Sequence, residues 1–597
     1  MHGRAVAQVR PDTTRRDSVA RLDTIKGRPV RDTAALLLKP DTVKAPLTHA
    51  EAPLLVDIGH PYRWDREALF ASGALTLADL LARIPGASIF RSGWLATPMH
   101  AAFLGDPRRV RVFYDGLEID ALDPRTGGIL DLGEIQLWTL EDVAVERGAD
   151  EMRVYLRSWR VERTTTYSRT DVVTGDENTN LYRGYFGKRF GNGSALQLGG
   201  QQFGTSSSLS GGGDALSLLG RLGVARSGWS VDAFLLRTSR RRDLQVGLFS
   251  DTVPALDATR TDAYLRAGIG DPDSGPWAQL TAAALDFTSR AAGASSPFGL
   301  QTDGSVPDSS LSHAQYVGAA GFSRWGLRLS GTGRVRRARQ RTETGLSGRA
   351  SFDRSLLAIS LFAERQSDSA TSLDAAVRLM PLSFVAVEGA VSRRHLLSAV
   401  ASPTDVLSRR VEAGLRVGGL WLTGGLLDRD AVPTVSALRI FGERTVQDAS
   451  LAKGTGQIGR ARGFVWKDIG VDAYAIRWDR GDFYLPQLQS REELYLKTRW
   501  LSRFPSGHFG VLASVAHEYR RPTAFPLRRE GTDDPTPDVR FSTYRHDFES
   551  RLEIRILDAV LFFDFRRGIR PFPGDVVPGF LTRQQISLYG VRWEFWN

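Results

Sequence analysis

Most of this chain alternates between apolar and charged positions. Over residues 544–556, Tyr544, His546, Phe548, Ser550, Leu552, Ile554 and Ile556 fall on one face of an extended strand. Arg545, Asp547, Glu549, Arg551, Glu553 and Arg555 fall on the other. A charged face opposite a mostly apolar one predicts a sheet with water on one side and an apolar medium on the other. Leu561, Phe563 and Phe565 alternate with Asp564 and Arg566 in the next strand, as Tyr474, Ile476 and Trp478 do with Arg477 and Asp479 earlier.

The connections alternate too. Reading back from the end, 568–583 is long and 557–558 minimal; 520–541 is long and 505–507 tight; 482–491 exceeds 467–470, and 444–454 is long again. A transmembrane antiparallel β-barrel predicts this pattern, with short turns on the periplasmic side and long loops outside. Upstream, Asn192-Gly193, Ser227-Gly228, Ser274-Gly275-Pro276 and Trp325-Gly326 mark tight turns, interrupted by an insertion at 291–312. Segmentation of residues 161–597 gives about 22 strands, at roughly 20 residues per strand and connection, which suits membrane strands of ~9–11 residues. In the last strand Ser587, Tyr589, Val591, Trp593 and Phe595 share one face, opposite Gly590, Arg592 and Glu594. Gly590 followed by Trp593 and Phe595 resembles the terminal signal read by the barrel-assembly machinery.

Residues 52–160 have a different grammar. Thr76-Leu77-Ala78-Asp79 is a capping box, Leu77, Leu80, Leu81 and Ile84 form an apolar helical face, and Pro85-Gly86 ends the helix. Val110-Arg111-Val112-Phe113-Tyr114 is a short strand turning at Asp115-Gly116 into Leu117-Glu118-Ile119. A second strand, Asp142-Val143-Ala144-Val145-Glu146-Arg147, runs into a turn at Gly148. These signals predict a small α/β domain. Residues 1–51 are polar, rich in Arg, Asp, Thr and Pro, and read as a flexible leader. Ala5-Val6-Ala7 before Gln8 has the small-x-small form of a signal-peptidase site without an apolar segment ahead of it; chance in an alanine-rich chain is the other reading.

The order of motifs in the α/β unit resembles the plug domain of TonB-dependent outer-membrane receptors. It runs from L-x-D-L-L-x-x-I-P-G within 75–86, through V-x-V-x-x-D-G at 110–116, to I-x-x-x-x-x-E-D-V-x-V-x-R-G at 135–148. The positions carrying it are Leu80, Pro85, Gly86, Asp115, Gly116, Glu146, Arg147 and Gly148. The resemblance implies a mixed α/β plug inside a 22-stranded barrel, a ligand such as a metal chelate, vitamin or glycan bound on the outer face, and contact between the leader and an energised TonB complex. The chain departs from the family pattern in a shortened segment after Gly148 and in a leader without a TonB box. A passive plugged porin or a structural surface barrel is therefore the alternative to an energised transporter.

Composition narrows the chemistry. No cysteine is present, which removes thiolate metal sites and thiol nucleophiles. Mean hydropathy is −0.22 and no apolar run approaches a spanning helix, so an integral membrane protein of this composition must be a barrel. The net charge of +11 is spread along the chain, which argues against nucleic acid as partner and leaves the lipid of the outer membrane as the surroundings. The nine histidines show no H-x-x-x-H spacing, and neither a G-x-S-x-G elbow nor a phosphate loop occurs. The sequence thus predicts no cofactor, no metal site and no enzyme, and identifies no ligand-binding residue. Asp271 with Asp273, and Asp533-Asp534 with Asp538, read as solvated loop charges, and Arg480-Gly481-Asp482 is assigned no function.

Overall fold

In the computed structural model, residues 47–119, 121–122, 126, 128–248, 252–290, 309–338, 342–367, 370–396, 404–441, 449–527, 538–568 and 575–596 are described. The Ala5-Val6-Ala7 triplet and the Asp533-Asp534 pair lie outside these residues. No described helix is long and apolar enough to cross a membrane.

Twenty-two antiparallel strands close into a barrel. The first, Tyr167–Gly175, pairs with the last, Gln585–Trp596, along a register running from Gly175 opposite Leu588 to Tyr167 opposite Trp596. Closure leaves no strand edge, which satisfies every backbone group where no water is available to do so. The outward side chains form an apolar surface. Leu218, Leu222, Leu265, Leu280, Leu346, Leu426, Leu494, Val515, Leu561 and Trp593 are all exposed. A patch of that extent is a surface for hydrocarbon, not water.

The barrel strands run from 9 to 17 residues, and the longer ones exceed the ~9–11 that a bilayer requires. The tight turn expected at 505–507 is longer. It occupies the whole interval between Leu488–Thr498 and Phe509–Arg520.

Inside lies the plug. Strands β1 (Arg63–Asp65), β4 (Val110–Tyr114), β5 (Leu117–Glu118), β6 (Leu140–Arg147) and β7 (Met152–Ser158) form one sheet in the order β1-β6-β7-β4-β5, with β4 and β7 parallel. Helix α1 (Arg66–Ala71) is capped by Asp65, whose carboxylate accepts from the Ala68 N–H. Helix α2 (Leu77–Leu81) begins at Thr76 with the full capping box to Asp79, as its sequence predicts. A hairpin of β2 (Ala87–Arg91) and β3 (Met99–Phe103) carries the plug towards the long-loop end. Sequence patterning missed this hairpin, because both strands are buried on both faces and show no alternation. Leu77, Leu80, Leu81 and Ile84 pack with Val143, Val145, Val154 and Leu156 in a core that extends to barrel residues Tyr185, Phe234, Tyr264, Tyr474 and Trp478.

Candidate functional site

The plug–barrel interface is polar and almost completely buried. At its centre stands the Asp115-Gly116 turn, with φ values of 49° and 80°. The asparagine-like freedom of an aspartate and the lack of a Cβ on glycine permit this geometry. The turn aims the Asp115 carboxylate at both domains. It accepts from the Ser158 N–H (3.1 Å) and hydroxyl within the plug, and from the Tyr264 hydroxyl (2.8 Å) of the barrel. Arg160 stands 3.2 Å away and Arg221 3.4 Å, while Arg266 donates to the Asp115 carbonyl. Burial alone would push this carboxyl up, but Arg160, Arg221 and Arg266 outweigh it and hold the group well below the usual carboxylate range.

A second cluster forms at the end of β6. Arg147 reaches Asp57 at 3.1 Å and Glu412 of the barrel at 2.7 Å. Arg410 and Arg460 from the wall join it, pairing with Glu388 at 2.7 Å and Glu412 at 2.6 Å respectively. Three guanidinium groups thus face the three carboxylates of Asp57, Glu388 and Glu412, and the buried charge is balanced. Beside it Glu146 accepts two hydrogen bonds from Arg349, at 2.7 and 2.9 Å. Burial opposes ionisation here too, yet Arg349 and Arg153 prevail and lower Glu146 to about 2.

Further contacts distribute the docking around the lumen. Arg111 bridges Glu118 of the plug and Glu364 of the wall, and Arg153 reaches Asp374. Arg83 pairs with Glu493 at 3.2 Å and Asp79 with Arg566 at 3.2 Å, while Arg551 donates to the Phe70 carbonyl at 3.0 Å. Such pairs add little net stability against an apolar alternative, but removing one partner strands a buried charge. They fix where the plug sits.

The resemblance-derived residues fall into structural roles. Leu80 is fully buried in the plug core. Pro85 and Gly86 end the turn after α2, where Gly86 has φ +90° and a Cβ would come within 3.0 Å of Leu104. A Cβ on Gly148 would meet the Glu151 carbonyl at 2.8 Å, so the β6–β7 connection needs glycine. Trp593 and Phe595 face outwards, whereas Gly590 faces inwards, where a Cβ would lie 2.4 Å from the Val172 carbonyl across the closing seam. In the Arg480-Gly481-Asp482 triplet, Asp482 is occupied by the Ala452 N–H (2.8 Å) of the neighbouring connection and by Arg429 (3.3 Å) at the end of a barrel strand.

The long-loop end is closed by an apolar lid that no sequence signal announced. Phe90 and Ala102 of the plug hairpin pack with Phe441, Tyr484, Phe525, Val577 and Phe580 from four different loops. His100 lies within this cluster, stacked on Phe90 at 5.2 Å and near Phe441 at 5.6 Å. Neither of its ring nitrogens has a hydrogen-bond partner among the described residues, and burial lowers the imidazole to about 3. His100 also lines a cavity of about 200 Å³ shared with Arg108, Arg111 and Glu118. At the opposite end His49 approaches Asp271 (3.8 Å) and Asp273 (3.6 Å). Burial and Arg157 lower His49 to about 4, so it is neutral at neutral pH.

The fold is a closed 22-stranded barrel with an N-terminal α/β domain inside it. No family model and no curated relative matches the sequence. Solved structures do match. The siderophore receptor PirA from Acinetobacter baumannii superposes with a TM-score of 0.66 at 10% identity, covering 91% of this chain and 98% of the receptor. The FrpB iron transporter from Neisseria meningitidis gives 0.66 at 10%, covering 92% and 100%. The ferric enterobactin receptor PfeA from Pseudomonas aeruginosa gives 0.64 at 9%, covering 89% and 98%. At such identities the likeness establishes the fold, over nearly the full length of each neighbour.

Proposed function

We propose that this protein is an outer-membrane receptor that admits a scarce ligand through a plug-gated barrel. The observation that carries this reading is the plug itself: a folded domain held in the lumen by buried ion pairs to opposite walls, Arg111 to Glu364 and Asp79 to Arg566, beneath a lid of converging loops. A pore for free diffusion has no use for such a stopper, and nothing in the buried charge clusters resembles a nucleophile beside its base. Its role is transport, not catalysis. Solved neighbours named for siderophores and iron make an iron chelate the first ligand class to test, ahead of vitamins and glycans. The energy source in this reading is a TonB complex engaging the N-terminal leader, and the barrel-assembly machinery would insert the chain.

The density of buried plug–wall contacts favours one second reading, a plugged structural barrel that never opens. Growth of a deletion strain on single ferric chelates under iron limitation separates the two. Restored growth by the plasmid-borne gene, abolished when the proton gradient is collapsed, supports energised uptake. Growth indifferent to the gene across ferric chelates, cobalamin and oligosaccharides would leave the structural barrel standing.

A further inference from the structure

The turn between Leu488–Thr498 and Phe509–Arg520 is the longest at the short-turn end of the barrel, and it carries two aromatic residues, Trp500 and Phe504, beside two arginines, Arg499 and Arg503. Backbone N–H groups of Arg503 and Phe504 both bond to the Trp500 carbonyl at 2.9 Å, winding the segment into a compact loop. Its rings do not point into the lumen. Phe509 pairs across the sheet with Ile556, which is exposed on the outward face, so Phe509 belongs to the hydrocarbon surface. Phe504 lies against Phe509 at 4.4 Å, and Trp500 sits 6.2 Å from Phe509. The loop is thus folded back onto the lipid-facing wall.

The neighbouring turn continues the patch. Trp466 is paired with Ile469, and Ile469 with Leu496, placing all three on the outward face. Lys467 holds its ammonium 5.2 Å from the Trp466 ring centre. The Lys497 N–H bonds to the Asp468 carbonyl at 2.9 Å and ties the two turns together. Lys467, Arg499 and Arg503 are exposed, and no ion pair is formed by any of them among the described residues. Aromatic rings at the edge of a hydrocarbon band, flanked by unpaired cations, suit the depth at which lipid phosphates lie.

We propose that this rim, formed by Trp466, Lys467, Arg499, Trp500, Arg503 and Phe504, is a binding site for anionic phospholipid headgroups of the periplasmic leaflet. The inference rests on the outer-membrane reading above. The apolar rings insert beside Phe509 and Ile556, and the three cations meet headgroup phosphates. Because the patch covers one sector of the circumference, it orders lipid on the side of the barrel formed by the strands Gly454–Trp466 through Arg545–Ile556.

The test uses the full chain in nanodiscs of equimolar dioleoylphosphatidylglycerol and dioleoylphosphatidylcholine, with retained lipid counted by native mass spectrometry. Wild type should be enriched in phosphatidylglycerol. Joint substitution Lys467→Gln, Arg499→Gln and Arg503→Gln should lower that enrichment at least about fivefold, the effect expected for the loss of even one surface cation. Arg337→Gln, Arg365→Gln and Arg409→Gln, which remove as many exposed charges towards the other rim without the aromatic loop beside them, should lower it clearly less. If the triple variant does not fold, the Arg499→Gln, Arg503→Gln pair replaces it with a smaller loss. Equal retention of both lipids by wild type, or enrichment untouched by the triple variant, overturns the proposal. Heat-modifiable gel migration of each sample from the outer-membrane fraction reports separately on the barrel reading.

Discussion

Arg147 of the plug and Glu412 of the barrel wall stand 2.7 Å apart, both buried, and each is shared with other charges. Arg147 also serves Asp57, and Glu412 also serves Arg410 and Arg460. Neither residue is dispensable alone. Arg147→Met should destabilise plug docking by about 3–5 kcal/mol, because Asp57 and Glu412 lose a counter-charge while they stay buried. The double variant Arg147→Met, Glu412→Gln should recover part of that loss. Protease nicking of the plug in detergent-solubilised protein measures both; equal sensitivity of wild type and single variant would refute the docking role.

Glu146 makes docking sensitive to acid. Its carboxyl is lowered to about 2 in the folded protein from about 4.5, so its contribution is complete above the higher value and is lost as pH falls towards the lower. The melting temperature of wild type should exceed that of Glu146→Gln at neutral pH, with the gap shrinking progressively below about pH 4.5. A gap independent of pH would contradict the assignment of the ion pair with Arg349.

His100 buries two unpartnered ring nitrogens among Phe90 and Phe441. A phenylalanine there would keep the stack and remove the unsatisfied polar atoms, so His100→Phe should stabilise the folded chain by about 1–3 kcal/mol. Thermal unfolding followed by near-ultraviolet circular dichroism reads this out. A lower melting temperature would mean that the imidazole holds a partner.

Phe441 closes the lid against the plug hairpin. Phe441→Ala removes buried ring contacts that elsewhere in proteins are worth about 3–5 kcal/mol, and should loosen the loops without unfolding the barrel. Extracellular protease should then cut the 437–441 region in intact cells while heat-modifiable migration persists. Unchanged protection would show that the other loops close the mouth unaided.

Gly590 lies on the seam where the last strand meets the first, with the Val172 carbonyl 2.4 Å from where a Cβ would be built and the Phe562 ring at 2.7 Å. Gly590→Val should prevent closure and abolish the heat-modifiable band, whereas Tyr589→Val on the outward face should preserve it. Survival of the band in Gly590→Val would assign the glycine to assembly recognition alone.

The outward and inward faces of the strand Arg545–Ile556 were legible in its residues, since six charges in alternation tolerate only one arrangement beside hydrocarbon. So were the capping box at Thr76, the Asp115-Gly116 turn and the alternation of long and short connections, all of which depend on residues adjacent in the chain. Where the lumen is filled, the same alternation reverses meaning. Tyr474, Ile476 and Trp478 are buried against the plug and Arg477 is exposed, a choice made by what occupies the interior at that height. The lid over Phe90 and the partners of Arg147 and Asp115 likewise come from residues up to several hundred positions apart, while the local hairpin of β2 and β3 was hidden because both its faces are buried. Local periodicity specifies a strand and its two faces; only closure of the barrel around the plug decides which side chains meet, because those contacts depend on shape and charge balance across the lumen.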